Sequence, residues 1–314
     1  MADQPHPQVQ TILQMMEDQP VPPTYAVSVE DARGQLEALA AMRDGEDVAN
    51  VENFDVGGPE GPEGSLPVRV YYPDADAPHP TLVYFHGGGY VLGSLETHDA
   101  LCRALTNAAE CAVVAVDYRL APENPFPAAV EDAYFAVEWV AEHGASVGLD
   151  PTRIAVGGDS AGGNLSAAVT LATQDRDGPD LVHQALVYPA VDSPVTEEYD
   201  SYEENAEGYF LEREGMEWFL EQYVDDDIHL RNEYFAPILA SDLSGVPPAS
   251  IVTAGFDPLR DEGQAYAEKL QAAGVEVSTH HYEDMIHGFV SMVDMVDAAD
   301  DTVDALGAEL ADAF

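Results

Sequence analysis

The sequence predicts one large α/β domain with a mostly parallel central sheet, helices on both faces of that sheet, and a helical cap. Segments typical of strands and of helices alternate from about residue 68 to the C terminus, and this alternation is characteristic of parallel sheets. The 314 residues, 46% of them hydrophobic, suffice for a single large core. In an open parallel sheet, chemistry is expected at the carboxyl ends of the strands.

Two helices are expected ahead of the alternating region. Residues 6–17 and 29–43 each carry apolar residues at helical spacing. A proline-rich segment, 20–23, separates the two helices, and the turn-rich segment 57–62 leads into the alternating region. Because neither helix follows a strand, we assign residues 1–55 to N-terminal helices that contribute to a cap.

Within the alternating region, seven strands are expected, at residues 68–72, 81–86, 112–117, 153–157, 183–188, 250–254 and 275–281. Helical patterns between and after them lie at residues 100–109, 128–142, 165–173, 259–272 and 293–310. An insertion at about residues 191–237, with a helix near 209–223, interrupts the alternation. Its aromatic residues include Phe210 and Phe219, and two interpretations stay open. The helix either packs into the core or forms a lid that lines an apolar substrate pocket.

The segment Gly157-Gly158-Asp159-Ser160-Ala161 joins an expected strand directly to a helix. So short a connection is a tight turn that would lift Ser160 above the sheet, with Gly158 and Gly162 permitting close packing. This arrangement, called a nucleophile elbow, makes Ser160 the candidate nucleophile. Ser146 also lies in a Gly-x-Ser-x-Gly pattern, but that pattern follows a helix and predicts a helix C-cap and a loop.

Three successive glycines follow the expected strand 81–86, in the segment His86-Gly87-Gly88-Gly89-Tyr90. Glycine amides with no Cβ in the way can point into a cavity, as donors to a developing oxyanion must. The amide of Ala161, directly after the candidate nucleophile, would complete this set of donors. The alternative of a phosphate-binding loop needs a Lys or a Ser/Thr just beyond the glycines, and Tyr90-Val91-Leu92 provides neither.

A serine hydroxyl needs a base to take its proton, and His287 is the candidate among ten histidines. It falls in a loop between the last expected strand and the final helix. His280 and His281 lie within that strand and are expected to be structural, and His86 is expected to brace the glycine loop. Asp257, directly after an expected strand, is the candidate acid that orients the base, with a helix N-cap as its alternative role.

Along the chain, the order Ser160, Asp257, His287 is the order used by α/β-hydrolases. The chain resembles the hormone-sensitive-lipase-like branch of the α/β-hydrolases, the family IV carboxylesterases, across residues 86–289. The resembling segments are His86-Gly87-Gly88-Gly89, Asp117-Tyr118-Arg119-Leu120-Ala121-Pro122-Glu123, Gly158-Asp159-Ser160-Ala161-Gly162-Gly163-Asn164, Asp257-Pro258-Leu259-Arg260-Asp261-Glu262-Gly263 and His287-Gly288-Phe289.

This resemblance implies an α/β-hydrolase fold that hydrolyses short or medium acyl esters through a Ser-His-Asp triad and needs no cofactor. It implies oxyanion donors at Gly88, Gly89 and Ala161. It also implies a cap built from the N-terminal helices and the insertion, above a catalytic domain of residues 56–314.

The candidate substrate-binding residues are Tyr90, beside the glycine loop, and Phe210 and Phe219 in the insertion. The expected partner is therefore a small-molecule ester. Two alternative functions stay open: an amidase or small peptidase that uses the same triad, and a non-catalytic ligand-binding protein on a hydrolase fold. The presence of His287 argues against the second alternative, because non-catalytic relatives usually lack that histidine.

Charge sets this chain apart from ordinary globular proteins. Its 59 acidic and 11 basic residues give a formal net charge of −48, and Lys269 is the single lysine. The acidic residues are spread along the whole chain, and their charge would repel the phosphates of a nucleic acid. We expect a salt-adapted protein, because about 1 M salt shortens the screening length to roughly 3 Å and removes the self-repulsion that loosens such a fold. A merely solvated acidic surface is the alternative.

The expected location follows from the cysteines and the N terminus. Cys102 and Cys111 show no metal-ligand spacing and are expected to be small buried thiols in a reducing compartment. The first residues have neither a basic region nor an apolar core, and no run approaches 18 apolar residues. We therefore expect a soluble, cytoplasmic protein with no membrane span, and the sequence leaves a homodimer open.

Overall fold

The computed structural model describes residues 2–18, 22–59, 64–196 and 199–314. Parts of the proline-rich segment 20–23, of the turn-rich segment 57–62 and of the insertion 191–237 therefore lie outside the described residues. The strands, in chain order, are β1 (Asn50–Asp55), β2 (Pro67–Tyr72), β3 (His79–Phe85), β4 (Ala112–Val116), β5 (Leu149–Asp159), β6 (His183–Val187), β7 (Ala249–Phe256) and β8 (Val277–Ile286).

These strands form a single sheet in the order β1-β2-β4-β3-β5-β6-β7-β8. The strands from β4 to β8 in that order run parallel to one another, whereas β2 is antiparallel to both β1 and β4. This topology confirms the predicted α/β fold with a mostly parallel sheet. It also places the carboxyl ends of β3, β5, β7 and β8 along one edge.

The sequence did not predict strand β1. Its two apolar residues, Val51 and Phe54, are three positions apart, and most of the strand is exposed at the edge of the sheet. A half-buried strand is recognised by strict alternation of apolar and polar residues, which β1 lacks. The sheet therefore begins inside the segment 1–55 that the sequence assigned to N-terminal helices.

Helices cover both faces of the sheet. They are α1 (Pro7–Asp18), α2 (Val29–Ala40), α3 (Asp99–Ala109), α4 (Ala128–His143), α5 (Ala161–Asp175), α6 (Asp200–Glu204), α7 (Arg213–Tyr223), α8 (Arg260–Ala272) and α9 (Asp297–Ala313). Alternate residues of β3 pack on opposite sides, since Val83 and Phe85 join α4 and α5 while Leu82 and Tyr84 join α3 and α9. None of the helices in the described ranges is both long and apolar enough to cross a membrane.

The insertion between β6 and β7 carries α6 and α7 and is attached on two sides. Phe219 of α7 packs against the same apolar cluster as Leu36 of α2. On the other side, Lys269 of α8 donates hydrogen bonds to the carbonyl oxygens of Ile238 and Ala240, near the end of the insertion. The N-terminal helix α2 and the insertion are therefore neighbours on one side of the molecule.

Candidate active site

Four loops at the carboxyl edge of the sheet carry the candidate residues. The glycine loop follows β3, Ser160 follows β5, Asp257 follows β7 and His287 follows β8. Because these strands are parallel, their following loops emerge at the same edge. The strand β8 ends at Ile286 rather than at residue 281, so His287 comes directly after the strand.

The turn at Ser160 is tighter than the sequence indicated. Strand β5 continues to Asp159 and helix α5 begins at Ala161, so a single residue reverses the chain. Ser160 has φ 56° and ψ −115°, a conformation that costs of order 1–3 kcal/mol for a residue with a side chain. The residues beside Ser160 must be small because the backbone of β3 leaves no room for a side chain. A Cβ added to Gly158 or Gly162 would lie 2.3 Å or 1.8 Å from the carbonyl oxygen of Phe85.

The side chains of Ser160, His287 and Asp257 form a continuous hydrogen-bonded chain. His287 Nε2 lies 2.9 Å from Ser160 Oγ, and His287 Nδ1 lies 2.8 Å from Asp257 Oδ2. A carboxylate can only accept, so Nδ1 carries the proton and Nε2 is left to accept from the serine hydroxyl. These three residues, far apart in the sequence, are thus brought together in the order that a proton transfer from serine requires.

Asp257 is fixed from several directions. Its side chain has no exposed surface, and its Oδ1 accepts a hydrogen bond of 2.8 Å from the amide of Leu259. That amide precedes α8, which begins at Arg260 with Leu259 as its N-cap and with no side-chain cap, so Asp257 is not the helix N-cap considered from the sequence. The amide group of Asn205, at the end of α6, also donates to the Asp257 carbonyl at 3.1 Å.

Asn205 and Tyr188 are contacts of the site that the sequence reasoning missed. The ring of Tyr188, which follows β6, lies 4.6 Å from the ring of His287, centre to centre. Tyr188 also has a positive φ of 34°, which no sequence pattern reveals. Its place directly after a strand of the parallel sheet was the only available signal.

The glycine loop exposes backbone donors beside Ser160. Gly88 and Gly89 have φ values of 119° and 60°, in the region that favours glycine. In the hydrogen bonds found across the described ranges, the amides of Gly88, Gly89 and Ala161 donate to no protein acceptor. Unpaired amides of this kind are suited to hold an oxygen that gains negative charge.

Aromatic side chains of the insertion cover this loop and the His287 loop. A Cβ on Gly89 would lie 2.3 Å from the ring of Phe219, and a Cβ on Gly288 would lie 3.0 Å from the ring of Phe210. Tyr90 is buried, and its ring stacks on Tyr223 of α7 with centroids 3.9 Å apart. Phe210 and Phe219 therefore flank the Ser160 region, whereas Tyr90 joins the glycine loop to the insertion.

The competing residues lie elsewhere. Ser146 is exposed in a short 3₁₀ turn before β5, at the opposite edge of the sheet, and its hydroxyl donates to the carbonyl of His143. His280 and His281 lie within β8, as expected. The ring of His86 stacks on Tyr118 at 4.3 Å, and burial together with the neighbouring His98 lowers the pKa of His86 to about 3, so it stays neutral.

The chain is similar in sequence and in fold to several known proteins. Residues 82–291 match a family described as having the alpha/beta hydrolase fold. The carboxylesterase NlhH of Mycobacterium tuberculosis is 43% identical over 301 residues, which cover 93% of this chain and 92% of that protein. An ethyl acetate hydrolase of Pseudomonas putida is 36% identical, covering 89% and 88% of the two chains.

Solved structures agree closely. A hyperthermophilic esterase from Pyrobaculum calidifontis superposes with a TM-score of 0.93 and 39% identity, over 98% of each chain. An ester hydrolase from the metagenome of Lake Arreo, solved with a bipyridine phosphonate derivative, gives a TM-score of 0.93 and 38% identity. The chain belongs to the α/β-hydrolase family and, within it, to the hormone-sensitive-lipase-like carboxylesterases.

Proposed function

We propose that the protein hydrolyses carboxylic esters with short to medium acyl chains through an acyl-enzyme on Ser160. The observation that supports this most is the hydrogen-bonded chain from Ser160 through His287 to Asp257, next to unpaired backbone amides. A nucleophile, a base and a base-orienting acid are the three groups that acyl transfer requires. We propose no cofactor, since each step below uses side chains and amides of this chain.

In the first half of the reaction, Ser160 Oγ attacks the carbonyl carbon of the ester while His287 Nε2 takes the serine proton. The charge that develops on the carbonyl oxygen is held by the amides of Gly88, Gly89 and Ala161. Asp257 stabilises the imidazolium through Nδ1–H. His287 then gives its proton to the departing alcohol oxygen, and the bond between that oxygen and the acyl carbon breaks.

In the second half, a water molecule repeats the attack on the acyl-enzyme. His287 takes a proton from the water, a second tetrahedral intermediate forms, and its collapse breaks the bond to Ser160 Oγ. The proton returns from His287 to the serine oxygen and the carboxylic acid leaves. The oxyanion donors act in both halves, and removing one such donor typically costs about 10²–10³ in turnover.

We propose that α2 and the insertion together form a cap whose side chains limit acyl length. Phe210 and Phe219 approach the His287 loop and the glycine loop respectively, so a long acyl chain would have to pass both rings. The relative from Pseudomonas putida, named for ethyl acetate, supports a preference for small acyl groups.

The experiment is ester hydrolysis by the wild type and by Ser160→Ala, with p-nitrophenyl esters of increasing acyl length, measured in molar salt. We expect Ser160→Ala to lose turnover and to resist labelling by a serine-reactive phosphonate, while the matched variant Ser146→Ala keeps both. Retained turnover in Ser160→Ala would refute the proposed nucleophile. A faster rate on a matched anilide than on the ester would favour an amidase.

We also propose that the protein is adapted to molar salt and works in the cytoplasm. The net charge of −48 supports the first point, and the two buried, unpaired cysteines fit a reducing compartment. Dilution from molar salt into low-salt buffer is expected to reduce both activity and the far-ultraviolet circular dichroism signal. Unchanged activity and signal in dilute buffer would exclude salt dependence, and the same samples in size-exclusion chromatography would test for a homodimer.

A further inference from the structure

A buried carboxylate lies directly beneath the glycine loop and is not used by the reaction described above. Asp159 is the last residue of β5, next to Ser160 in the chain, and is 4% exposed. Its Oδ1 accepts hydrogen bonds from the amide of Gly87, at 3.0 Å, and from the hydroxyl of Tyr84, at 2.8 Å. His98 Nε2 lies 3.1 Å from the same oxygen.

The contact with the glycine loop is close enough to fix the loop's position. A Cβ added to Gly87 would lie 2.4 Å from Asp159 Oδ2, so the backbone of the loop rests directly on the carboxylate. Gly87 is the first glycine of the run, and the unpaired amides of Gly88 and Gly89 follow it. An anchor at the Gly87 amide therefore constrains the direction of the next two amides.

The charge of Asp159 is compensated inside the protein. Burial by itself raises the pKa of this carboxyl, but the charge and hydrogen bonds of His98 and the hydroxyl of Tyr84 outweigh it, so the pKa stays below its usual range. The other ring nitrogen of His98 lies 2.8 Å from Thr97 Oγ1, whose hydroxyl donates to the carbonyl of Ser94.

His98 also contacts the glycine loop directly, because the amide nitrogen of Gly87 lies 3.4 Å from His98 Nε2 as well as 3.0 Å from Asp159 Oδ1. Asp159 and His98 therefore meet the loop at the same amide.

We propose that Asp159, held by Tyr84 and His98, is a positioning residue that fixes the Gly87 amide and thereby directs the amides of Gly88 and Gly89 at the substrate's carbonyl oxygen. The inference rests on the proposed function, because it assigns a role within the same reaction. The positioned amides stabilise the transition state, in which the substrate's carbonyl oxygen is charged, more than they stabilise the bound ester. Loss of Asp159 should therefore lower kcat and leave KM nearly unchanged.

The test compares Asp159→Ala, Asp159→Asn and the control Asp132→Ala in molar salt, with active sites counted by phosphonate labelling. Asp132 is a second buried carboxylate, and the hydrogen bonds found for it among the described residues go to Arg119 rather than to the glycine loop. We expect Asp159→Ala to lower kcat per active site by about 10–10²-fold, short of the loss of a direct oxyanion donor, with KM within about threefold. The inhibition constant of a trifluoromethyl ketone, which forms a tetrahedral adduct with the serine, should rise by the same factor.

The conservative variant distinguishes positioning from a purely structural loss. Asp159→Asn keeps an oxygen that can accept from Gly87 and Tyr84, so its kcat should return to within about threefold of wild type. Asp132→Ala should lower the melting temperature and leave kcat per active site unchanged. If Asp159→Ala does not fold, the double variant Tyr84→Phe, His98→Ala removes both side-chain supports and should still lower kcat several-fold with KM unchanged.

Unchanged kcat per active site in Asp159→Ala, or in the double variant, would overturn the inference. So would a rise in KM that matches the fall in kcat, or equal losses in Asp159→Asn and Asp159→Ala. The wild type and Ser160→Ala are measured alongside. An inactive wild type or an active Ser160→Ala would refute the proposed function itself, whereas the expected results for both leave the Asp159 variants as a test of the inference alone.

Discussion

Both edges of the parallel sheet hold a serine, a histidine and a carboxylate that are linked in a chain of hydrogen bonds. At the carboxyl edge these are Ser160, His287 and Asp257. At the amino edge, Ser250 near the start of β7 lies 2.7 Å from Nε2 of His183 and donates to the carboxylate of Glu309 on α9. Each set contains a hydroxyl, an imidazole and a carboxylate, so the functional groups alone do not separate the two sets.

The two sets differ in which group receives the hydrogen of the serine hydroxyl. Ser250 has a single hydroxyl hydrogen and gives it to Glu309, so His183 can only donate to the serine oxygen and cannot act as its base. At the carboxyl edge the histidine stands between the serine and the acid and accepts the serine's hydrogen. Ser250 is also fully buried inside a regular strand, whereas Ser160 occupies a strained turn beside unpaired amides. A triad therefore depends on hydrogen-bond direction, access and nearby donors as much as on residue type.

Replacing the histidine at each edge is expected to give the largest difference in kcat between the two edges. We expect His287→Ala to lower kcat by about 10⁴–10⁶, because serine then has no base. In contrast, His183→Ala should leave kcat within about threefold and destabilise the fold by about 1–3 kcal/mol, since it removes one of the two hydrogen-bond partners of the buried Ser250 hydroxyl. Steady-state kinetics and denaturant unfolding in molar salt measure the two effects. Comparable losses of kcat in both variants would contradict the assignment of chemistry to one edge.

A smaller effect is expected from the backbone donors that only the carboxyl edge provides. The variant Gly89→Ala combines an unfavourable φ of 60° with a Cβ that meets the Phe219 ring at 2.3 Å, so we expect kcat to fall about 10²-fold as the donor shifts. Gly274→Ala is the matched control, because Gly274 has φ 88° but open space around its Cβ position. That control should lose about 1 kcal/mol of stability and no kcat. A similar kcat in both glycine variants would argue against amide donors in this loop.

The smallest expected effect is on the stability of the fold at acidic pH. Burial and the neighbouring His98 lower the pKa of His86 to about 3, and burial also lowers the pKa of His183 against the opposing charge of Glu309. Below about pH 6.5 the unfolded chain binds a proton at each histidine that the folded chain does not, so stability falls as the pH falls. Replacing His86 with Asn should therefore reduce the loss of unfolding free energy between pH 6.5 and 4.5, by up to about 1.4 kcal/mol per pH unit. The variant His183→Asn should change the pH dependence in the same direction, and equal slopes in wild type and His86→Asn would contradict this.

Much of the carboxyl edge was predictable because its signals are local. The elbow around Ser160, the glycine run and Asp257 each follow a strand that can be recognised from its own residues, and parallel strands bring such positions to one edge. The hydrogen-bond distances among the three side chains were not predictable, but the edge on which they meet was.

The parts that escaped prediction depend on which strands are neighbours. The pairing of Ser250 with His183 and Glu309 joins three elements, and it exists only because β6 and β7 are adjacent and α9 packs behind them. Strand β1 was missed because an exposed edge strand carries no apolar alternation, and the contact of Asn205 with the Asp257 loop depends on how the insertion returns to the main domain.

The close packing of the elbow on β3 has a consequence for how new specificities can be obtained. Gly158 and Gly162 rest on the carbonyl of Phe85, and Gly87 rests on Asp159, so the nucleophile and the oxyanion loop form one rigid block. Mutagenesis libraries directed at that block should yield mostly inactive clones. Libraries directed at Phe210 and Phe219, whose rings contact the active-site loops from the insertion, are the better source of enzymes that accept esters with bulkier acyl groups.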